Sequence, residues 1–141
     1  MEVKITKIKD IDLPLYQHPG DSGMDLVNAA EDITIIPGDR KLIPAGIKVA
    51  VPESYELQIR SRSGLAIKKG LFVLNSPGTI DAGYRGEVCV ILFNTSREPV
   101  IIKKGMRIAQ AVLQKVEKIR WKETDKLPDS SRNTGGFGST G

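Results

Sequence analysis

The last ten residues of the chain carry the side chains that a clamp for a phosphorylated aromatic ligand needs. Arg132 can donate a forked, charge-assisted pair of hydrogen bonds to a phosphate, and Phe137 can stack on a ring. Glycines in the same segment leave backbone N–H groups open to an anion. Most Gly/Ser-rich termini are disordered tails, but a plain linker has little use for an arginine and a phenylalanine. We therefore interpret the segment as a clamp.

A polar segment between two predicted strands, residues 75–87, is the next candidate for chemistry. Pro77 and Gly78 indicate a tight hairpin, whose backbone donors and acceptors could read the edge of a nucleobase. Asp81 follows the apolar Ile80, where a carboxylate could be partly desolvated and act as a base. An aspartate in an Asp-x-Gly sequence more often caps a turn. From the residues alone, the turn is the better interpretation of Asp81.

Three further positions could bind a charged ligand. Arg62, Ser63 and Gly64 lead from a predicted strand into a short helix, so the helix N-terminus and the Arg62 side chain could hold an anion. Ser63 as a simple helix cap is an equally good interpretation. Asp25 could support a metal, although a buried turn aspartate is the better interpretation of that residue alone. Gln110 is best explained as a buried, hydrogen-bonded amide.

Several other kinds of site are excluded or disfavoured. Residues 136–141 match G-x-G-x-x-G, but that fingerprint needs a strand before it and a helix after it. The P-loop sequence does not occur. The single Cys89 rules out an internal disulfide framework, and with the single His18 it cannot form a His/Cys metal cluster. We expect both residues to be structural, and any metal to be held by oxygen atoms.

The overall composition favours an anionic small molecule over a polymer. The net charge of +4 suits polyanionic ligands. The basic residues are spread along the chain, however, and 5% aromatic residues are too few for a base-stacking platform, so nucleic acid is not expected as a partner. The absence of a long apolar run and of a signal-peptide core after Met1 predicts a soluble, uncleaved, cytoplasmic protein without membrane contact.

The chain is predicted to be all-β, a jelly-roll-like barrel or sandwich with a closed double sheet and one short helix. Turn signals recur roughly every eight to twelve residues, as in such folds. The helix is predicted over residues 63–69, with Ser63 as its cap and Gly70 ending it. Predicted strands cover residues 3–8, 33–36, 41–43, 46–51, 55–61, 71–74, 88–94, 100–102 and 108–116.

Two features concern organisation beyond single strands. Residues 88–93 are apolar without alternation, so both faces of that strand should be buried, the second by a neighbouring subunit. The composition becomes polar near Pro128. We therefore expect one β domain over residues 1–128 and a flexible C-terminal arm over residues 129–141 that closes the active site.

Five segments, in order, resemble the five sequence motifs of the trimeric dUTP pyrophosphatase (dUTPase) family. One such motif is weak, but five in register over nearly the whole chain are specific. The segments cover residues 22–26, 62–66, 78–86, 105–110 and the glycine-rich tail.

The resemblance implies a jelly-roll homotrimer with a swapped or clamping C-terminal arm, and active sites at subunit interfaces that draw motifs from all three chains. It also implies hydrolysis of dUTP to dUMP and pyrophosphate with Mg²⁺. In that family scheme, Asp81 would orient and deprotonate the attacking water, and Tyr84 would pack under the deoxyribose. The hairpin with Asn75, Gly78 and Ile80 would bind uracil.

The resemblance also assigns the groups that bind the phosphates. Asp25 would hold Mg²⁺ through water, and Phe137 would stack on uracil. The phosphate-binding residues would be Arg62, Ser63, Gly64 and Gln110, closed over by Arg132, Gly138, Ser139 and Thr140 of the tail.

Two residues depart from the family pattern. Asn133 stands where glycine is usual, and we expect little loss because asparagine tolerates left-handed geometry. Ser61 replaces a proline that many relatives have before the arginine, which should loosen the turn slightly.

The rival functions are a dCTP deaminase and a non-catalytic nucleotide-binding regulator. Residues 75–80 offer no spare acid for the deaminase, and the regulator would be expected to lack Asp81 or the tail.

Overall fold

The computed structural model describes residues 1–138, which form eleven β-strands and one helix. The predictions for Ser139 and Thr140 lie outside the described residues. The elements are β1 (Lys4–Lys7), β2 (Met24–Val27), β3 (Ile33–Ile35), β4 (Arg40–Pro44), β5 (Ile47–Ala50), β6 (Tyr55–Arg60), α1 (Ser63–Lys69), β7 (Leu71–Val73), β8 (Gly78–Asp81), β9 (Cys89–Asn94), β10 (Val100–Ile102) and β11 (Arg107–Lys115).

The strands form four antiparallel sheets around one hydrophobic core. The sheet orders are β2-β11-β6-β8, β4-β9-β7, β1-β5 and β10-β3. Leu26, Ile43, Ile59, Leu92 and Ile102, from five different strands, are each at most 2% exposed and belong to the same core. The predicted all-β class with one short helix is therefore confirmed. The hydrogen-bonded ladders of residues 1–138 form four sheets and no closed barrel.

All nine predicted strands are present to within one or two residues at each end, but the sequence did not reveal β2 and β8. Both are only four residues long and contain an aspartate, so the local pattern is weak. The tight hairpin predicted at Pro77 and Gly78 is also wrong. Strands β7 and β8 belong to different sheets, and Gly78 begins an edge strand that pairs with β6.

The helix was predicted correctly, but its cap was not. Gly70 ends α1 in the left-handed conformation, with φ +61°, as expected of a C-terminal glycine. At the other end the N-cap residue is Arg62, not Ser63, and its carbonyl oxygen accepts hydrogen bonds from the backbone of Leu65 and Ala66. Ser63 is already the first helical residue. Among the described residues no helix is long and apolar enough to cross a membrane.

The apolar strand β9 alternates in burial within one chain. Val90 and Leu92 are 1% exposed and enter the core, whereas Ile91 and Phe93 on the opposite face are only half-buried. That second face continues onto β4, where Leu42, the register partner of Ile91, is 64% exposed. A single chain therefore covers one face of this strand completely and the other only in part.

Candidate active site

One face of the four-stranded sheet carries a row of polar side chains. Asp25 on β2 lies opposite Gln110 on β11, and Gln110 lies opposite Arg60 on β6. Directly paired residues of antiparallel strands point to the same face of a sheet. The core-facing neighbours Leu26 and Ala109 are buried, so this row lies on the face away from the core. The sheet thus brings Asp25 and Gln110 together, although they are 85 positions apart in sequence.

Two arginines hold the Asp25 carboxylate. The Nε atom of Arg62 lies 3.0 Å from Asp25 Oδ1, and Nη1 of Arg107 lies 3.4 Å from Oδ2. The Arg62 side chain also donates from Nη1 to the carbonyl oxygen of Arg107 at 3.2 Å. The side chain of Asp25 is 11% exposed and that of Arg107 is 51% exposed. The cluster carries one net positive charge, which suits a phosphate.

The first turn of α1 continues this cluster. Ser63 and Gly64 are exposed, and a Cβ atom added to Gly64 would meet no other atom within 4 Å. Ligand oxygens could therefore approach the Gly64 backbone closely. The Ser61 hydroxyl, just before Arg62, accepts a hydrogen bond from the Val73 N–H at 2.9 Å. This hydrogen bond ties the turn to β7, and the expectation that serine loosens the turn relative to proline stays a prediction.

Asp81 lies at the other end of the same sheet face. It is exposed at the end of edge strand β8, and its register partner is Glu56 on β6. A cavity of about 270 Å³ beside Asp81 is lined by these two acids together with Tyr55, Gly83, Lys118 and their neighbours. Asp81 and Glu56 therefore face the same open space.

The loop after Asp81 is held by its own arginine. Arg85 donates from Nη1 to the carbonyl oxygens of Ala82 at 2.6 Å and Tyr84 at 2.7 Å, and the Tyr84 N–H donates to the Asp81 carbonyl at 3.0 Å. The Tyr84 hydroxyl donates to the Glu87 carbonyl at 2.9 Å. These bonds fix the backbone that carries both Asp81 and the half-exposed ring of Tyr84.

The residues predicted to bind a base lie along strand β8. Gly78 is buried, and a Cβ atom there would lie 3.2 Å from Ile59 Cβ and 3.3 Å from Asn75 Nδ2. Ile80 is half-buried against the core, opposite Leu57. Because β8 is an edge strand, its backbone groups on the side away from β6 are open to a ligand.

Within one chain, the polar cluster around Asp25 and the polar residues around Asp81 lie apart. Arg60, in the row of Gln110, and Glu56, in the row of Asp81, are four residues apart on β6, which corresponds to about 13 Å along a strand. Asp25, Arg62 and Gln110 thus form one cluster, and Asp81 belongs to another at the far end of the sheet. The described tail residues lie in neither cluster.

The described part of the tail has the geometry expected of Asn133 but does not close over the sheet. Asn133 has φ +40°, so it adopts the left-handed conformation that glycine usually takes there. Arg132 donates from Nε to the Gly135 carbonyl oxygen at 2.8 Å, within the tail itself. The side chain of Phe137 is fully exposed. The clamping role of Arg132, Phe137 and Gly138 therefore stays a prediction.

Neither a direct metal site nor a reactive thiol is formed by the described residues. Residues 1–138 contain no cluster of three or more His, Cys, Asp or Glu side chains able to ligate a metal. Asp25, the predicted water-mediated ligand, contacts two guanidinium groups, and its metal role stays a prediction. Burial raises the pKa of the Cys89 thiol, and the nearby Glu87 carboxylate raises it further, which is consistent with a structural role.

Sequence reasoning missed three residues that the structure places at the site. Arg107 pairs with Asp25, Arg85 holds the loop after Asp81, and Glu56 faces the cavity beside Asp81. Both arginines lie inside segments that had been singled out for other residues. Glu56 could not have been found without knowing that β6 pairs with β8.

Comparison with known proteins identifies the family. The dUTPase family model matches residues 9–141. This chain belongs to the dUTPase family. Deoxyuridine 5'-triphosphate nucleotidohydrolase of Rickettsia felis is 53% identical over 143 residues, covering 99% of this chain and 97% of the relative. The enzyme of that name from Rickettsia prowazekii is 54% identical and covers 100% of this chain and 97% of its own length.

Solved structures show the same fold. A mutant of the Staphylococcus bacteriophage 80alpha dUTPase, in complex with dUpNHpp, superposes with a TM-score of 0.88 at 25% identity, over 99% of this chain and 98% of that one. A mutant dUTPase of phage phi11 of S. aureus, whose structure describes the coordination of a structural Mg(II) ion, has a TM-score of 0.83 at 21% identity, over 92% of this chain and 100% of that one. The jelly-roll class of this chain follows from these matches.

Proposed function

We propose that this protein hydrolyses dUTP to dUMP and pyrophosphate, which keeps uracil out of DNA and supplies dUMP for thymidylate synthesis. One observation carries the proposal: nearly the whole chain matches deoxyuridine 5'-triphosphate nucleotidohydrolases at more than 50% identity. The polar face of the four-stranded sheet supplies groups of the kind that this reaction uses.

Asp81 is the proposed general base. It takes a proton from a water molecule as the water oxygen attacks the α-phosphorus, and the bond from that phosphorus to the bridging oxygen breaks to release pyrophosphate. Such a base must be held in place relative to the water. The backbone bond from Tyr84 to Asp81 and the two bonds from Arg85 to the following loop provide that support.

Strand β8 and Tyr84 are proposed to select the base and the sugar. The open backbone edge of β8, beginning at Gly78, can donate and accept hydrogen bonds with the uracil edge, and Asn75 and Ile80 flank it. The Tyr84 hydroxyl is already engaged by the Glu87 carbonyl, which presents the ring as a flat apolar surface. A deoxyribose can pack on such a surface, where a ribose 2′-hydroxyl would be unpaired.

The triphosphate is proposed to bind the cluster at the other end of the sheet. Arg62 supplies charge, Ser63 and Gly64 supply backbone and hydroxyl donors, and Gln110 supplies an amide. Transfer of a phosphoryl group depends mainly on positioning and charge stabilisation. The tail residues Arg132, Phe137, Gly138, Ser139 and Thr140 would close over the bound nucleotide and exclude water.

We propose that Mg²⁺ enters with the triphosphate as part of the substrate. A hard cation bound to phosphate oxygens needs few protein ligands, in keeping with the lack of a carboxylate cluster in residues 1–138. When bound, it would neutralise charge on the phosphates.

A homotrimer with shared sites is also proposed. The half-covered face of β9 and the exposed Leu42 offer an apolar surface for a second copy. The distance of about 13 Å between the rows of Asp81 and Gln110 is bridged if neighbouring subunits complete each site. The domain boundary at residue 128 and the cytoplasmic location stay predictions.

The experiment is product analysis after the purified protein and Mg²⁺ are mixed separately with dUTP, dCTP, dTTP and UTP. Pyrophosphate and dUMP from dUTP alone would establish the reaction and both selectivities. Ammonia and deoxyuridine nucleotides from dCTP would indicate a deaminase. The absence of any product from all four nucleotides would indicate a binding protein.

A further inference from the structure

We propose that Asp25 is a positioning residue that aims Arg62 and Arg107 at the substrate phosphates, and that it does not hold the metal. The inference rests on the proposed function in placing phosphate at this cluster. Its starting point is the pair of contacts that the carboxylate makes, 3.0 Å to Arg62 Nε and 3.4 Å to Arg107 Nη1. One carboxylate thus restrains two long cationic side chains from different parts of the chain.

The charges around Asp25, and not a lack of space, disfavour a metal-bound water there. Oδ1 accepts no well-aligned hydrogen bond from the described residues, which by itself would suit an outside donor. The accessible surface of Oδ1 is below 1 Å², so water must approach the carboxylate through its other atoms, and Asp25 and Arg107 both line a cavity of about 420 Å³. Oδ2 faces the Arg107 guanidinium. A hydrated cation at Asp25 would also lie beside two positive charges, which Coulomb repulsion disfavours.

Restraining these arginines has a direct use in phosphate binding. A free arginine loses rotamer entropy when it is fixed on a ligand. Arg62 uses Nε for Asp25 and Nη1 for the Arg107 carbonyl, which leaves its second terminal nitrogen for a ligand. Arg107 uses one nitrogen and remains half exposed. Both groups are therefore oriented before the substrate arrives.

The position of Asp25 extends this effect to the rest of the cluster. Its register partner is Gln110, and Arg62 is the N-cap residue of α1, whose first turn presents Ser63 and Gly64. The carboxylate that restrains the Arg62 side chain therefore lies beside the start of the helix. No other acid of residues 1–138 pairs with Arg62 or Arg107.

The test compares the intact protein with Asp25→Asn, which keeps the shape of the side chain and removes its charge. The probe is inorganic pyrophosphate with EDTA present, and its affinity is measured by calorimetry. Removing a nearby negative charge should by itself tighten the binding of an anion. Loss of positioning predicts the opposite sign, and we expect pyrophosphate affinity to fall by roughly tenfold. Unchanged or tighter binding would overturn the proposal.

Steady-state kinetics provide a second measurement, which would not change if Asp25 had only a structural role. We expect Asp25→Asn to raise the KM for dUTP by roughly tenfold while the Mg²⁺ concentration for half-activation stays within about twofold. The double variant Asp25→Asn/Arg62→Lys should have a KM for dUTP no higher than that of Arg62→Lys alone. Each change removes the same contact, the oriented Arg62 guanidinium, so their effects should not add. A higher Mg²⁺ requirement, with KM restored at saturating Mg²⁺, would assign Asp25 to the metal instead.

A third variant keeps the proposal testable if Asp25→Asn does not fold. Arg107→Lys keeps the Asp25 carboxylate and the positive charge at position 107 but removes the forked guanidinium group. We expect weaker pyrophosphate binding in EDTA and an unchanged melting temperature; unchanged pyrophosphate binding would count against the proposal. If the intact protein fails to hydrolyse dUTP, the proposed function fails, whereas the pyrophosphate measurement still decides the role of Asp25.

Discussion

Glu56 on β6 lies directly opposite Asp81 on β8, so two carboxylates occupy one row of the sheet at the edge of a shared cavity. Paired residues of this kind have Cβ atoms about 5 Å apart. The Glu56 carboxylate is engaged by Gln58 Nε2 at 2.6 Å, and the Gln58 amide oxygen accepts from Arg60. Glu56 is therefore held by its own strand, whereas the Asp81 carboxylate remains exposed and available to a water molecule.

This arrangement predicts separate effects on catalysis and binding at Asp81. The variant Asp81→Asn should lower kcat by roughly 10²–10⁴-fold with little change in substrate affinity, since the amide keeps the shape but cannot take a proton. Steady-state kinetics and binding of a non-hydrolysable dUTP analogue measure the two terms. Glu117→Gln, which breaks an exposed pair with Lys115, is the matched control and should leave both unchanged. Normal turnover by Asp81→Asn would end the assignment.

The tail is predicted to serve catalysis and not assembly. A chain that ends at Ser131 should lose most turnover and keep its oligomeric state and melting temperature, because within residues 1–138 the Arg132 side chain bonds to the tail itself and Phe137 is exposed. Activity assays and light scattering measure these properties. If the shortened chain changes its oligomeric state, the tail is structural and the clamp interpretation is wrong.

The ring of Phe137 is predicted to act on the ligand alone. Phe137→Leu should raise the KM for dUTP by roughly three- to tenfold through lost stacking on uracil, while the melting temperature stays constant. Phe137→Tyr keeps the aromatic ring and is the control that should retain affinity. Equal KM values for the leucine variant and the intact protein would show that stacking does not contribute.

A buried asparagine is predicted to carry stability. Asn94 is 0% exposed; its Nδ2 donates to the carbonyl oxygens of Ile35 and Glu98 at 2.9 Å, and its Oδ1 accepts from the Ser96 N–H at 2.9 Å. Asn94→Ala leaves these groups without their partner and should lower the free energy of unfolding by at least roughly 1–3 kcal/mol. Denaturant titration measures the loss. Asn133→Ala, in the exposed tail, should change it far less.

The sequence could predict the elements that depend on local pattern. It could not predict those that form only when two strands pair. Strands with β-branched runs and the helix stop at Gly70 were predictable from periodicity and turn chemistry. Strand β8 was not, because its four residues become a strand only through pairing with β6. For the same reason Pro77 and Gly78 suggested a hairpin between strands that belong to different sheets.

The candidate site follows the same division. Asp25, Arg62 and Gln110 could be proposed from their motifs, and the structure brings them together. The partners that restrain them could not be proposed, because Arg107 meets Asp25 only when β11 pairs with β2. The clamping role of the tail was predicted from its arginine, phenylalanine and glycines, and it stays a prediction because the described tail residues lie in neither polar cluster of the chain.

Ser61 links the turn before α1 to the backbone of strand β7. Both backbone polar groups of the buried Val73 are tied by serine hydroxyls: the Val73 N–H donates to Ser61, and the Val73 carbonyl accepts from Ser76. A single mutation of Ser61 to proline would stiffen the turn but leave the Val73 N–H without a partner. The side chain at position 61 is therefore constrained by the backbone of β7 as well as by the turn in which it lies.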